Sequence, residues 1–273
     1  NIISKKVKAI LRDHPSQEHF HIDPAGEILD TFKNLTEVVP SEFETTLAAL
    51  QEELKGPGVY ADRWALKVSQ NQKIHADFAS KQAWSDLKAF KVLLDRIPQD
   101  SDLQMGNSSV VRYVQLFDMR SDIRYFGNRG TSGIDGCTST AMGAANASDR
   151  ITTLIVGDLS FLYDTSGLWH QHRPKNLKII VINNGGGGIF KIIDGPSDSG
   201  VLSQGFETPH QLDLGKVSAG YDIEYQKVKD EIELGAGLEW LYDQGSCSIL
   251  EIDTSKVESQ NFIKAYFTNL RKQ

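Results

Sequence analysis

Two stretches of the chain decide its fold: Ile151–Ser160 (ITTLIVGDLS) and Leu177–Phe190 (LKIIVINNGGGGIF). Each begins with an apolar, β-branched run, which is typical of a strand buried on both faces of a parallel sheet. Two further runs, Ile123–Phe126 (IRYF) and Ser246–Ile252 (SCSILEI), are also predicted to be strands, and helical segments lie between them. Strands that alternate with helices predict an α/β fold, a doubly wound parallel sheet flanked by helices.

The composition is that of an ordinary globular protein. The chain has 273 residues, of which 40% are hydrophobic and 24% are charged, and its formal net charge is −7. These values exclude a disordered, collagen-like or disulfide-rich protein. The acidic balance argues against a nucleic-acid partner, and no apolar run approaches the roughly 18 residues that a membrane helix needs. Cys137 and Cys247 match no metal-binding spacing, so we expect two buried, reduced thiols in a cytoplasmic protein.

Polar residues follow the two deciding strands. Gly157-Asp158-Leu159-Ser160 comes after the first strand, and Asn183-Asn184 with four glycines comes after the second. Doubly wound sheets bind ligands at the carboxyl ends of their strands. The Asp158 carboxylate, the Asn184 amide oxygen and a carbonyl near Gly186 are oxygen ligands of the kind that Mg²⁺ prefers. Ser160 and the N–H groups of the helix that it starts could hold a diphosphate.

Each of these elements also has an ordinary structural explanation. A Gly-Asp pair after a strand is common in turns, and a run of four glycines can form a flexible loop. The chain contains neither the P-loop pattern G-x-x-x-x-G-K-S/T nor a strand-following G-x-G-x-x-G with a suitably placed acidic residue. Phosphate-loop and dinucleotide sites are therefore weak interpretations. The occurrence of both elements together favours a site for a metal and a diphosphate.

The spacing between Gly157-Asp158 and Asn183-Asn184 resembles the metal–diphosphate motif of thiamine diphosphate (ThDP) enzymes. Longer strings narrow the resemblance to the 2-succinyl-5-enolpyruvyl-6-hydroxy-3-cyclohexene-1-carboxylate (SEPHCHC) synthases, the MenD family of menaquinone biosynthesis. The strings lie in the family's order: Gly106-Asn107-Ser108 with Arg112, NRGTSGIDG (Asn128–Gly136), GDLSFLYD (Gly157–Asp164) and NNGGGGIF (Asn183–Phe190).

The resemblance implies roles for individual residues. Mg²⁺ or Mn²⁺ would be held by Asp158, Asn184 and the Gly186 carbonyl. The cofactor would be contacted on its diphosphate side by Gly157, Leu159 and Ser160, on its pyrimidine side by Ser132 and Gly133, and on its apolar surfaces by Ile134, as the wedge beneath it, and Ile189. The substrates would be bound by Asn107, Ser108, Arg112, Arg129, Ile189, Phe190 and Ile193. Catalysis would depend most directly on Arg112, Arg129, Ile134 and Phe190.

The resemblance also implies a reaction. It is the ThDP-dependent decarboxylation of 2-oxoglutarate, followed by conjugate addition of the succinyl carbanion to isochorismate, which makes the protein a transferase. Both substrates are dicarboxylates, and arginine forms bidentate, charge-assisted pairs with carboxylates. An acetolactate-synthase-like enzyme or another 2-oxoacid decarboxylase needs no such pair of arginines, and it often carries Gly-Asp-Gly where this chain has Gly157-Asp158-Leu159. A non-catalytic α/β assembly module remains a further alternative.

The family's pyrimidine-binding domain, normally N-terminal and contributed by the partner subunit, supplies an activating glutamate. Nothing before Asn107 resembles that domain. We therefore expect residues 1–57, which end at the break Gly56-Pro57-Gly58, to be the trailing part of a second, central α/β domain with a linker. Residues 58–273 would form the diphosphate-binding domain. The chain would be a C-terminal fragment, inactive alone, of a homo-oligomer that is at least a dimer.

Three further predictions concern local structure. We expect one helix over Tyr60–Leu94. We also expect a helix over Phe161–Trp169, with Trp169 in the core. The histidine pairs lack additional ligands and are expected to be surface or packing residues: His19 with His21, and His170 with His172.

Overall fold

The computed structural model describes residues 5–15, 18–53, 56, 58–193, 195–198 and 200–271. The chain forms two compact units, residues 1–68 and residues 69–273. The boundary between the units falls inside a long helix, α3 (Val59–Lys81), which begins just after the predicted domain boundary. Pro57, at that predicted boundary, lies outside the described residues.

The first unit contains two short strands between helices. Before α3 come α1 (Lys5–Asp13), β1 (Phe20–Ile22), β2 (Glu37–Val39) and α2 (Phe43–Glu53). The strands β1 and β2 pair in parallel, with Phe20 opposite Glu37. The assignment of this unit to the end of a central domain stays a prediction.

The second unit is built on a six-stranded parallel sheet in the order β4-β3-β5-β6-β8-β7. Its strands are β3 (Ser101–Met105), β4 (Ile123–Gly127), β5 (Thr152–Gly157), β6 (Leu177–Asn183), β7 (Glu224–Val228) and β8 (Ser248–Asp253). Its helices after α3 are α4 (Asp86–Asp95), α5 (Ser109–Val114), α6 (Cys137–Asn146), α7 (Asp158–Tyr163), α8 (Leu214–Gly220), α9 (Glu231–Asp243) and α10 (Ser259–Arg271).

Helices cover both faces of this sheet, which confirms the predicted doubly wound α/β fold. Alternate residues of β6 point to opposite faces. Ile180 and Ile182 pack in a core with α4, α5, α9 and α10. Ile179 and Val181 pack in a second core with α6, α7 and α8. Burial of each such side chain contributes about 1.5–3 kcal/mol, so a strand that is apolar on both faces is stable only between two helical layers.

Three local predictions are corrected by the structure. The predicted helix over Tyr60–Leu94 is two helices, because Ser85 accepts a hydrogen bond from the Lys88 N–H and thereby caps α4. The predicted helix over Phe161–Trp169 is α7 followed by a 3-10 turn, Thr165–Leu168. Trp169 is not in the core: it is 73% exposed.

The cysteines agree with the prediction, since Cys137 and Cys247 are both buried and unpaired. Within the part of the chain that the structure describes, no helix is long and apolar enough to cross a membrane.

Candidate functional site at the carboxyl edge of the sheet

The predicted site residues gather where four neighbouring strands end. Asn107 follows β3, Arg129 follows β4, Asp158 follows β5 and Asn184 follows β6. The chain passes from β3 outward to β4, then crosses back to β5 on the other side of β3 and continues to β6. The order of the strands therefore reverses between β3 and β5. Ligands of open α/β sheets bind at such a reversal, at the carboxyl ends of the strands.

Asp158 is the first residue of α7 and is only 2% exposed. Its Oδ1 accepts a hydrogen bond from its neighbour, the Leu159 N–H, at 2.7 Å. Its Oδ2 accepts from the N–H groups of Gly185 at 2.9 Å and Gly186 at 2.8 Å, and it lies 3.2 Å from His210 Nε2. This buried carboxylate is thus the point on which the glycine loop after β6 converges.

The glycine loop needs glycine at its tightest point. Gly185 has φ +82° and Gly186 has φ +145°, conformations that residues with a Cβ rarely adopt. A Cβ on Gly186 would also lie 2.6 Å from the carbonyl oxygen of Glu207. The Gly187 N–H donates to that same carbonyl at 2.6 Å. The glycine run is therefore a folded loop, packed under the turn Leu202–Glu207, and both Gly185 and Gly186 turn their N–H groups toward Asp158.

Asn184 has one end of its amide engaged and the other free. Its Nδ2 donates to Asp86 Oδ2 at 3.1 Å. Its Oδ1 is buried and has no hydrogen-bond partner among the described residues. Buried acceptors in folded proteins are nearly always paired, so an unpaired one marks a place where a ligand is expected.

The donor set fits a hard divalent cation. The carboxylate of Asp158, the free Oδ1 of Asn184 and the carbonyl of Gly186 are all oxygen ligands, which Mg²⁺ and Mn²⁺ prefer. Among the described residues, no group of three or more His, Cys, Asp or Glu side chains could hold a metal ion. The mixed set of carboxylate, amide and carbonyl oxygens is therefore the candidate metal centre of this edge.

Asn107 organises the loop after β4. Its side chain is 1% exposed, and its Nδ2 donates to the carbonyls of Asn128 at 2.8 Å and Gly133 at 2.6 Å. Its Oδ1 accepts from Arg129 Nη1 at 2.6 Å. All three hydrogen bonds of this side-chain amide are therefore made with residues in the segment 128–133. The structure gives Asn107 a role in holding Arg129 and its loop, and direct contact with a substrate stays a prediction.

Two predicted arginines lie near each other without a counter-charge. Burial and the charge of Arg129 lower the pKa of the Arg112 guanidinium, which nevertheless stays protonated at neutral pH because its ordinary pKa is so high. Arg112 donates to the carbonyl of Ser108, one turn earlier. In the described part of the chain, neither arginine forms an ion pair with a carboxylate. Two uncompensated guanidinium groups at one edge of a sheet favour an anionic ligand.

The remaining predicted residues line this edge with different exposures. Ser108 and Ser132 have φ values of +68° and +61°, which are strained for residues other than glycine and are typical of functional sites. Ser160 donates its hydroxyl to the carbonyl of Ile134, which ties the predicted wedge to α7. Ile189 is buried, while Ile134, Phe190 and Ile193 are half-buried and Ser132 is exposed.

Sequence reasoning missed three residues of this site: Asp86, Thr254 and His210. Asp86 is 2% exposed, and its Oδ1 accepts from Thr254 Oγ1 at 2.5 Å. Burial raises the pKa of the Asp86 carboxyl, while its hydrogen bonds to Thr254 and Asn184 lower it, with a net rise. The hydrogen bond to Asp158 raises the pKa of His210. Ser85-Asp86 is typical of the start of a helix. No local sequence pattern indicates, however, that Asp86 lies beside residues as distant along the chain as Asn184 and Thr254.

Comparison with known proteins agrees with this geometry. Residues 104–252 match the family model for the C-terminal TPP (thiamine pyrophosphate) binding domain of thiamine pyrophosphate enzymes. Three curated relatives carry the name 2-succinyl-5-enolpyruvyl-6-hydroxy-3-cyclohexene-1-carboxylate synthase. They come from Flavobacterium psychrophilum (42% identical), Flavobacterium johnsoniae (40%) and Porphyromonas gingivalis (37%), and each alignment covers 98% of this chain.

The chain spans about half the length of these relatives, namely 49%, 49% and 48%. The family match begins in β3 and ends in β8, so it contains the strand ends that carry Asn107, Arg129, Asp158 and Asn184. Thiamine pyrophosphate is the same molecule as ThDP. The chain belongs to the thiamine pyrophosphate enzymes, and its second unit is their C-terminal, cofactor-binding domain.

Proposed function

We propose that this chain is the diphosphate-binding half of a SEPHCHC synthase. In this proposal the protein decarboxylates 2-oxoglutarate and adds the resulting succinyl group to isochorismate, as a cytoplasmic transferase of menaquinone biosynthesis. The names of the relatives support this reaction, and the match to the TPP-binding domain supports ThDP as cofactor. A homo-oligomer, at least a dimer, belongs to the same proposal.

The metal part of the proposal rests on the free amide oxygen. Mg²⁺ or Mn²⁺ would be held by Asp158, by Asn184 Oδ1 and by the carbonyl of Gly186. The cation would supply positive charge that helps these residues to bind the diphosphate of the cofactor. Gly157, Leu159 and Ser160 would lie beside the diphosphate. Ser132 and Gly133 would lie along the pyrimidine, with Ile134 beneath the cofactor and Ile189 against it.

The choice of substrate class rests on one observation: Arg112 and Arg129 have no carboxylate partner among the residues that the structure describes. Arg129 is held by Asn107 at 2.6 Å, so its guanidinium is already oriented before any ligand binds. Arg112 extends from α5 on the same edge of the sheet. Each arginine would bind a carboxylate of 2-oxoglutarate or isochorismate, with Ser108 beside them. Phe190 and Ile193 would form the apolar wall that excludes water.

The chemistry divides between cofactor and protein. ThDP, when bound, supplies the electron sink that decarboxylation requires. The residues of this chain bind its diphosphate end, orient the substrate carboxylates and neutralise their charge. Activation of the aminopyrimidine by a glutamate would come from a pyrimidine-binding domain, which would lie in the part of the relatives that this chain does not cover.

The test is an assay of both half-reactions. Release of carbon dioxide from 2-oxoglutarate and consumption of isochorismate are followed with ThDP and Mg²⁺. They are measured for the 273-residue chain alone and for a joined protein, in which the uncovered N-terminal half of the Flavobacterium psychrophilum relative precedes it. The proposal predicts both activities in the joined protein and neither in the chain alone. Carbon dioxide release with isochorismate untouched would indicate a simple decarboxylase instead. If the joined protein is folded but shows neither activity, the proposed activity is wrong.

A further inference from the structure

The Asn184 amide can bind a cation only if its oxygen, rather than its nitrogen, faces the site. The two ends of an amide have nearly the same shape, so packing alone cannot select the orientation, and hydrogen-bond partners must do so. In this structure one partner is decisive: the Nδ2 of Asn184 donates to Asp86 Oδ2 at 3.1 Å. Asp86 Oδ2 accepts this hydrogen bond, so it holds the nitrogen end of the amide and leaves the oxygen end free.

We propose that Asp86 is a positioning residue that orients the Asn184 amide, so that Oδ1 faces the cation of the candidate metal centre. The inference rests on the proposed function, because it presupposes that Asn184 is a metal ligand. It adds a residue from α4, outside the segment 104–252 that matches the family model.

Asp86 is itself held from several directions. Its Oδ1 accepts from Thr254 Oγ1 at 2.5 Å, and its own N–H donates to Ser259 Oγ at 3.0 Å. Thr254 is anchored in turn, since its N–H donates to the carbonyl of Asn183 at 2.9 Å. The start of α4, the end of β8 and the start of α10 thus meet at one buried carboxylate beside Asn184. A carboxylate fixed in this way can fix its neighbour.

Asp86 is not explained as half of a buried ion pair. Among the described residues, no Lys, Arg or His lies in an ion pair with it, although it is only 2% exposed. A buried carboxylate without a cation is costly, and its two hydrogen bonds, from Thr254 and Asn184, only partly offset the cost. One carboxylate oxygen accepts a hydrogen bond from Thr254, and the other accepts a hydrogen bond from Asn184. The second of these is the contact that orients the Asn184 amide.

The same contact explains why an amide serves at position 184. An aspartate there would set two buried carboxylates against each other at hydrogen-bonding distance, which is strongly unfavourable. An amide presents a donor to Asp86 and an acceptor to the cation. Exchange of the two residues should therefore preserve the arrangement: an amide at 86 can donate to a carboxylate at 184.

The experiment measures Mn²⁺ affinity by electron paramagnetic resonance of the free ion, in the joined protein with saturating ThDP. We expect Asp86→Ala to weaken Mn²⁺ binding by about 10–100-fold, the usual effect of removing a residue that orients a metal ligand. Asp86→Asn should retain most of the affinity, because its side-chain oxygen can accept from Asn184 while its nitrogen donates to Thr254. The matched control is Asp102→Ala. Asp102 is also buried but lies at the opposite end of β3, and its loss should leave Mn²⁺ affinity unchanged.

If Asp86→Ala does not fold, the inference can still be tested by comparing the effect of Asp86→Asn in the wild type with its effect in the N184D variant. Asp86→Asn should slightly weaken Mn²⁺ binding when residue 184 is asparagine, but it should strengthen Mn²⁺ binding when residue 184 is aspartate. The double variant D86N/N184D should therefore bind Mn²⁺ more tightly than N184D. Equal effects in the two backgrounds would mean that the residues are not coupled and would overturn the inference.

The metal centre has its own controls. If Asp158→Ala and Asn184→Ala abolish Mn²⁺ binding while Asp86→Ala folds and binds normally, the positioning role is wrong and the proposed metal site stands. If neither Asp158→Ala nor Asn184→Ala changes Mn²⁺ affinity, the proposed metal site is wrong and the role of Asp86 fails with it.

Discussion

The side-chain amide of Asn107 donates to the backbone carbonyl of Gly133 at 2.6 Å. Together with a second hydrogen bond, to the Asn128 carbonyl, this contact joins the end of β3 to the loop that follows β4, which carries the predicted wedge Ile134. The same amide accepts from Arg129, so one buried side chain sets the position of both the loop and Arg129, the arginine that we propose binds a substrate carboxylate.

Loss of this amide should loosen the loop measurably. We expect Asn107→Ala to lower the free energy of unfolding by about 1–3 kcal/mol, because two buried carbonyls lose their donor. Urea denaturation at neutral pH measures the change. The control is Asn146→Ala, since Asn146 is exposed and makes a single long bond of 3.4 Å to the His172 carbonyl. Equal stabilities of the two variants would contradict the role assigned to Asn107.

The two arginines should distinguish dicarboxylates from monocarboxylates. In the joined protein, we expect Arg112→Ala and Arg129→Ala to raise the KM for 2-oxoglutarate by roughly 10–100-fold, through the loss of a charge-assisted hydrogen bond worth about 1.5–3 kcal/mol. Any turnover of pyruvate, which has a single carboxylate, should change much less. Arg96→Ala serves as control, because Arg96 contacts Gly235 and Glu239 on α9. Parallel losses for both substrates would indicate a general structural role for the arginines.

Acid should destabilise the protein partly through Asp102. A hydrogen bond from Arg124 is the largest cause that lowers the pKa of Asp102 below its ordinary value of 3.8. A carboxylate with a lowered folded-state pKa contributes stability above its unfolded pKa, and the contribution is lost as pH falls through the folded value. Urea denaturation of the wild type and of Asp102→Asn should therefore show a difference at pH 6 that narrows at pH 3. A difference that stays constant would show that the ionised form is not favoured by folding.

The thiol of Cys247 should be unreactive while the protein is folded. Burial raises its pKa to about 11, and only the thiolate is nucleophilic. At pH 8 we expect Ellman's reagent to label Cys247 only after guanidinium is added. A Cys137→Ala variant isolates this thiol, and mass spectrometry identifies the labelled residue. Rapid labelling of the native variant would contradict the burial of Cys247.

The sequence predicts the apolar strands better than the strands that contain many polar residues. β5 and β6 lie between two helical layers and contain the apolar runs Leu154–Val156 and Ile179–Ile182, so the signal is strong. β3 was missed because its sequence is SDLQM, in which Ser101, Asp102 and Gln104 are polar and yet buried. Asp102 is tolerated there because Arg124 of the adjacent strand binds it at 2.6 Å. That pairing depends on the register of two strands, which no local pattern reveals.

The same reasoning applies to the site. Asp158 and Asn184 could be predicted because each directly follows a strand with a strong signal. Asp86 could not, because its relation to Asn184 spans 98 residues and arises only when α4 packs beside the end of β6. Trp169 shows the opposite error: its large apolar ring predicts burial, yet it follows a 3-10 turn at the surface and is 73% exposed.

The most direct test of the account is the melting temperature of the joined protein as ThDP is added, with and without Mg²⁺. A ligand at 100 times its dissociation constant stabilises a folded protein by about 2.7 kcal/mol, which is readily measured. The account predicts that ThDP raises the melting temperature only when Mg²⁺ is present, that thiamine without its diphosphate does not, and that Asp158→Ala removes the rise. An equal rise without Mg²⁺, or in folded Asp158→Ala, would contradict the claim that this edge of the sheet holds the cofactor through a metal ion.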